Sequence, residues 1–166
     1  QIKAGDIVVL ICRGPMGAGM EEVYQVTSAL RYLDFGKHVA VVTDARFSGV
    51  STGACIGHVA PEALAGGPVG KILDGDTIEI VIDRNVNAGT INLVGEGGKN
   101  SGIEEGTRLL HARNPRPDLH ADANLPADTR LWAALQAAGG GTWGGCVYDA
   151  DEIVRVLEAG RKALNR

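Results

Sequence analysis

Two short, uninterrupted apolar runs, each emptying into a glycine-rich stretch, constrain this chain more than any other feature. Asp6 to Cys12 (DIVVLIC) and Val39 to Val42 (VAVV) are rich in β-branched residues and show no polar alternation. Runs of that length and make-up are strands buried on both faces. The first leads into Arg13 to Gly19 (RGPMGAG), the second into Thr43 to Gly57 (TDARFSGVSTGACIG). Between them, Val23, Val26, Ala29, Leu30 and Leu33 recur at helical spacing, which predicts a helix over Glu21 to Leu33 stopped by Gly36. Glu21 and Glu22 would then sit in its first turn, where the helix dipole favours negative charge.

Further along, Pro61 to Ala65 reads as a short helix with proline in its first turn. Val69 to Leu73 reads as a strand, and Asp74-Gly75-Asp76 as a turn. Thr77 to Asp83 (TIEIVID) alternates as a half-exposed strand does, and Thr90 to Val94 is another strand. Glu96 to Gly106 is polar and glycine-rich, and Asn114 to Pro126, with three prolines, is irregular. Asp128 or Thr129 is placed to cap a helix running to Ala138, and Asp149 or Asp151 a last helix with an apolar stripe of Ile153, Val154, Val156, Leu157 and Leu164. The order β-α-β then β-β-β is not a regular βαβ alternation. The expected fold is α/β, a mixed, barrel-like sheet with surrounding helices.

Composition bounds the function. The 166 residues suit one domain. Sixteen Lys and Arg against 20 Asp and Glu leave a net charge of −4, which argues against a nucleic-acid surface. No apolar run approaches the roughly 20 residues of a membrane span. Cys12, Cys55 and Cys146 are an odd number at wide spacing, as expected of a reducing cytoplasm and not of a secreted disulfide scaffold. The chain opens on Gln1 directly into a strand, without a signal-peptide pattern, and reads as a piece of a longer polypeptide.

Several segments can carry chemistry, each beside a plainer reading. Strand, glycine-rich turn and helix start at Gly14 to Gly19 make a natural anion site. The spacing, however, is G-x-x-G-x-G and not the dinucleotide fingerprint, although Asp44 imitates a ribose-binding acid; the plain alternative is a loop needing small residues. Gly49 to Gly53 fits G-x-S-x-G, the nucleophile elbow of hydrolases, with Ser51 as nucleophile and His111 and His120 downstream. That elbow sits directly at a strand-to-helix turn, whereas here Asp44 to Ser48 intervene. Cys12 is expected to be a packed core thiol, and nothing resembles C-x-x-C. His38 reads as surface. His58, near the serine-rich loop, suits a structural hydrogen bond, and Trp132 and Trp143 suit a core.

One stretch is far more specific. VVTDARFSGVS from Val41 to Ser51, continued by TGACIGHVAPEALAGGP, resembles the C-terminal region of the dihydroxy-acid and sugar-acid dehydratases. RGPMGAGMEEVYQVTSAL resembles that family's Gly-Pro-rich segment, with Glu21 where the family has proline and Glu22 at its glutamate position. Asp128 to Asp149 is similar to the subgroup that dehydrates xylonate. The resemblance implies conversion of a 2,3-dihydroxy acid, an aldonate such as xylonate or gluconate, to a 2-keto-3-deoxy acid. It implies an iron–sulfur cluster, [2Fe–2S] or [4Fe–4S], acting on the leaving C3 hydroxyl, and a Mg²⁺ ion on the substrate carboxylate and C2 hydroxyl. Ser48 matches the serine that removes the C2 proton, and Glu22 the one Mg²⁺ ligand from this part of the chain. By extension Ser51 and Thr52 would bond substrate hydroxyls, and Arg46 would help lower the pKa of Ser48. The cluster and the other Mg²⁺ ligands are expected on a larger N-terminal domain. Residues 1–166 would then be a swivelling β/β/α domain similar to the C-terminal domain of aconitase, inactive alone, in a homo-oligomeric enzyme. The competing readings are the Ser51 hydrolase and a non-catalytic interaction domain.

Overall fold

The computed structural model describes residues 1–164. In chain order its elements are β1 (Ile7–Leu10), α1 (Pro15–Ala18), α2 (Tyr24–Leu30), β2 (Ala40–Thr43) and β3 (Ala54–Ile56), then β4 (Asp76–Asp83) and β5 (Ala88–Glu96). Helices α3 (Ile103–Ala112), α4 (Ala127–Ala138) and α5 (Ala150–Leu164) complete the chain. These elements form two compact units. One comprises Gln1–Gly70 and the described residues from Asp118 onward; the other is Lys71–Pro117.

The first unit is built on a three-stranded parallel sheet in the order β1-β2-β3. Ile7 lies opposite Ala40, and Ala40 in turn opposite Ala54. Leu30, Val39 and Val41 are buried together, with Val8, Val26, Phe35 and Phe47 packed against them. Such burial is worth about 1.5–3 kcal/mol per large side chain. Helix α2 is shorter than its apolar spacing predicts. Glu22 is held in a parallel bridge with Arg46, so Glu21 and Glu22 precede the helix and its first turn contains no acid. The dipole reading of those two carboxylates is thereby corrected.

Cys12 lies just past β1, half-buried at φ 63°, rather than packed inside a strand. Asp149 caps α5, its Oδ1 accepting the Glu152 N–H at 3.0 Å. Helix α4 follows Pro126 without a side-chain cap, and Asp128 lies in its first turn. Trp143 is 65% exposed, contrary to its expected place in a core, with Nε1–H donating to the Ala65 carbonyl at 2.6 Å. The stripe of α5 is also open, Val154, Val156, Leu157 and Leu164 all being exposed.

The second unit is an antiparallel β4–β5 hairpin with α3 packed on β5. Register runs from Asp76 opposite Glu96 to Asp83 opposite Ala88, with an irregularity between Thr77 and Ile78. The helix can lie this close because residue 106 is glycine: a Cβ there would fall 1.6 Å from the Leu93 carbonyl oxygen. Arg113, just past α3, ties the open end of the hairpin. Its guanidinium donates to both oxygens of Asp76 at 2.6 and 2.8 Å and to Glu96 at 2.8 Å. These charge-assisted bonds raise the guanidinium's pKa further, so it stays charged.

The expected barrel is not formed. A barrel needs its last strand to pair back onto its first. Here β4 and β5 bond each other in a sheet of their own, leaving β1 and β3 as the outer strands of the parallel sheet. The Val69 to Leu73 strand is a 3-10 turn over Pro68–Lys71 instead. No described helix is long and apolar enough to cross a membrane.

Candidate active site

Two loops of the first unit make the site, and buried carboxylates fasten their roots. Asp44, just past β2 and 2% exposed, accepts three backbone N–H groups: Cys12 at 3.1 Å, Arg13 at 2.9 Å and Ala63 at 3.1 Å. It thus joins the end of β1, the end of β2 and the 61–65 segment. Buried and committed to three backbone groups, Asp44 does not face outward as a ribose-binding acid must, which counts against the nucleotide reading of the Gly14 to Gly19 loop.

Glu62 lies in the same core with no exposed surface. Its carboxyl accepts the Met16 N–H at 3.0 and 3.2 Å, and its own N–H donates to Thr142 Oγ1 at 2.8 Å. Burial pushes its pKa up from 4.5 to about 7, the negative Asp44 adds to the rise, and the N–H groups of Met16 and Gly17 oppose it. Glu62 is not among the residues that the sequence singles out. The available signal is an acid in the otherwise apolar, proline-led stretch Pro61 to Ala65.

At the tips of the loops, Glu22 and Ser48 meet. The Ser48 N–H donates to Glu22 Oε1 at 2.9 Å, and the Tyr24 N–H to the same oxygen at 3.1 Å. Arg46 laces the two segments together. Its N–H donates to the Glu21 carbonyl at 3.3 Å, its carbonyl accepts the Val23 N–H at 3.2 Å, and its Nε–H donates to the Met20 carbonyl at 2.8 Å. Arg13 reaches Glu21 at 3.4 Å and Asp122 at 3.8 Å. Ser48 is exposed and opens a turn in which the Ser51 N–H donates to its carbonyl at 3.1 Å.

The other sequence candidates are not gathered here. Thr52 lines a cavity of about 390 Å³ bounded by α2, the 31–39 segment, Gly53 and Ala54, with neither Glu22 nor Ser48 in its wall. Ser51 Oγ is buried without a hydrogen-bond partner. A nucleophile elbow needs an exposed serine oxygen bonded to a base. Ser51 Oγ has neither the exposure nor the partner, and His120 Nδ1 of the same unit lies 2.9 Å from the Ala121 carbonyl. His58 contributes a backbone bond, its N–H donating to the Ala45 carbonyl at 2.7 Å. His38 is exposed, as its position suggests.

The donor set decides what the chain can hold. Among the described residues, both hydrogen bonds that Glu22 accepts fall on Oε1, from the Ser48 and Tyr24 N–H groups, which leaves its carboxylate suited to serve as one ligand to a hard divalent cation. Such cations want several oxygens, and no group of three or more acids, histidines or cysteines gathers among the described residues. The fit is therefore that of a single ligand in a shared site. The cysteines do not fit an iron–sulfur cluster. All three are free and well separated in sequence, and burial pushes each thiol's pKa up, Glu62 adding to the rise at Cys146. No three of them, nor any mixed set of three or more with His, Asp or Glu, gather among the described residues to hold a cluster.

Comparison with known proteins agrees with the segments that build this site. The family profile described as "Dihydroxy-acid/6-phosphogluconate dehydratase C-terminal" matches residues 1–111. The D-xylonate dehydratase YagF of Escherichia coli K12 is 58% identical over 164 residues, 99% of this chain and 25% of that protein. The D-xylonate dehydratase YjhG of the same organism is 60% identical over 159 residues, 95% of this chain and 24% of that protein. A dihydroxy-acid dehydratase of Citrifermentans bemidjiense is 56% identical over 82 residues, 49% of this chain and 15% of that protein. The chain thus spans about a quarter of the length of the two xylonate dehydratases. By the extent of the profile match, this chain belongs to the dihydroxy-acid/6-phosphogluconate dehydratase family, whose C-terminal region it represents.

Proposed function

We propose that the chain is the C-terminal catalytic domain of a sugar-acid dehydratase. It would help convert an aldonate, with xylonate favoured over gluconate, to a 2-keto-3-deoxy acid. The observation that carries this reading is the direct hydrogen bond between the Ser48 backbone and the Glu22 carboxylate. It brings a candidate base and a candidate cation ligand to one point. The two xylonate dehydratases, similar over nearly the whole chain, support the substrate class.

The chemistry follows from charge. A serine hydroxyl is a feeble base at neutral pH, and Glu22 alone would make it harder to deprotonate, since a carboxylate disfavours a neighbouring alkoxide. The site acts only when a cation outweighs that carboxylate. Mg²⁺ held by Glu22 and by ligands from the rest of the enzyme would supply that charge and stabilise the enediolate-like anion. In this reading Ser48 Oγ, as the alkoxide, takes the C2 proton. The electron pair of the C–H bond forms the C2–C3 double bond as the C3 hydroxyl departs, taking up from solvent a proton equivalent to the one Ser48 released on becoming the alkoxide, and leaves as water. The enol so formed tautomerises to the 2-keto acid. Arg46 keeps the two loops in register and brings a second positive charge into the neighbourhood. Ser51 and Thr52 remain candidates for binding substrate hydroxyls. The cysteines of this chain take no part, since they do not suit an iron–sulfur cluster.

The same reading makes the domain inactive alone. It is completed by an N-terminal domain of the same polypeptide, in a cytoplasmic homo-oligomer, and swivels against that domain. The deciding experiment offers five- and six-carbon aldonates to the full-length enzyme and monitors 2-keto acid, with Ser48→Ala beside wild type. Turnover of xylonate that disappears in Ser48→Ala supports the assignment. Full turnover by the variant removes Ser48 from the mechanism, and no turnover of any aldonate removes the substrate class.

A further inference from the structure

The core beneath the site contains a carboxyl group that the proposed reaction does not use. Glu62 is fully buried, and its bonds go to the backbone of α1, at Met16 and Gly17. Residue 14 is glycine where the carboxyl lies closest: a Cβ there would fall 2.6 Å from Glu62 Oε2. From this anchor the chain runs a short, tightly specified path to the site. The Ala18 and Met20 N–H groups both return to the Gly14 carbonyl, at 3.0 and 3.1 Å. Gly19 and Met20 then take left-handed φ values of 72° and 63°, and the Met20 carbonyl is clamped by Arg46. Two residues later comes Glu22.

We propose that Glu62 is a positioning residue for the dehydratase site, holding the α1 turn through the Met16 and Gly17 N–H groups and thereby fixing where Glu22 stands against Ser48. The proposal rests on the dehydratase reading for its catalytic meaning, but not for its structural one. The groups that can modulate it are few. Helix α1 carries no titratable side chain. Asp44 faces Glu62 from the segment after β2, and Cys146 does so from the turn after α4, where Thr142 also holds the Glu62 N–H. Arg13, the nearby cation on the Cys12–Gly14 segment, is engaged with Glu21 and Asp122. Proton loss from Glu62 therefore places a second negative charge beside Asp44, and the groups acting on it are Asp44 and the Met16 and Gly17 N–H groups, none of them a cation. The α1 turn loosens as that happens, so the site is best formed while Glu62 keeps its proton.

The test uses the full-length enzyme with Glu62→Gln and Glu62→Ala beside wild type. Three quantities are read against pH: kcat, the Mg²⁺ concentration giving half-maximal activity, and the rise in unfolding midpoint that Mg²⁺ alone produces. Wild-type kcat is expected to fall roughly tenfold per pH unit above about pH 7. Glu62→Gln keeps an oxygen to accept the Met16 N–H but cannot ionise. It should retain kcat within about twofold at pH 6 and lose the alkaline fall. Glu62→Ala should need roughly tenfold more Mg²⁺ and show a smaller Mg²⁺-induced rise. An alkaline fall unchanged in Glu62→Gln, or Mg²⁺ dependence unchanged in Glu62→Ala, overturns the proposal. If Glu62→Ala does not fold, the Glu62→Gln profile decides. If instead the wild-type enzyme turns over no aldonate, the dehydratase reading fails. The Mg²⁺-induced shifts of the two Glu62 variants then still decide whether Glu62 positions a cation ligand.

Discussion

The two compact units bury carboxylates in opposite ways. In the hairpin unit, Asp76 accepts one peptide N–H, from Leu73, but is held chiefly by a guanidinium: Arg113 grips it with two nitrogens and reaches Glu96 as well. In the site-bearing unit, Asp44 and Glu62 are met by peptide N–H groups from Cys12, Arg13, Met16 and Ala63. An ion pair fastens two side chains and leaves the backbone path between them loosely specified. A carboxylate fed by N–H groups fastens the path itself, which is what loops carrying chemistry require. The cost of the second arrangement is sensitivity to protons, because dipoles alone offset the charge.

The sharpest test of that division of labour is Ser48→Ala in the full-length enzyme. Activity should fall by at least about a thousandfold, while the unfolding midpoint stays at the wild-type value. A matching loss of stability would show that the loop tip is part of the framework. Next comes Arg113→Met, which strands the buried Asp76. Unfolding free energy should drop by about 3–5 kcal/mol, and the paired change Arg113→Met with Asp76→Leu should recover most of it. Equal losses in the single and double variants would mean that the guanidinium's hydrogen bonds, not the orphaned charge, dominate.

Stability against pH separates the units directly. Glu62 has a raised pKa in the fold, so the native state binds more protons than the unfolded chain between pH 4.5 and about 7. The resulting stabilisation is complete below about 4.5 and is lost as pH climbs through about 7, a change of the order of 3 kcal/mol. Arg113 stays charged across that window. Amide hydrogen exchange should therefore quicken at Met16 and Gly17 on going from about pH 5 to about pH 8, after correction for the intrinsic rate, while β4 and β5 keep their protection. Smallest of all, Arg108→Ala, which removes an exposed i,i+3 pair with Glu105, should leave the denaturation midpoint unchanged within error.

What is legible in the sequence divides from the rest along a physical line. Strands β1, β2, β4 and β5 announce themselves through β-branched runs or alternation, α4 through its capping candidates and the glycines after Ala138, and α5 through its apolar stripe. Helix α3 is hidden by Gly106, which lowers helix propensity yet is the residue that lets the helix approach Leu93. Strand β3 is three residues long, too short for any period to show. Val69 misleads because a short apolar run looks alike in a strand and in a buried turn. Glu22 and Ser48 are nominated by a specific motif, and their contact crosses 26 residues that no local pattern links. Glu62 escapes because its role is to satisfy an N–H group 46 residues away, and the one local sign, an acid in an apolar stretch, does not say what it meets.

The link between positions 22 and 48 has one more consequence. It is made by a peptide N–H, which every amino acid except proline provides. The seat of the carboxylate is thus written into the chain's route and is indifferent to the side chain at 48. Lineages descending from this scaffold are free to exchange that side chain and try other reactions without dislodging the Glu22 carboxylate, whereas proline at the same place would remove both the side chain and the carboxylate's seat in a single step.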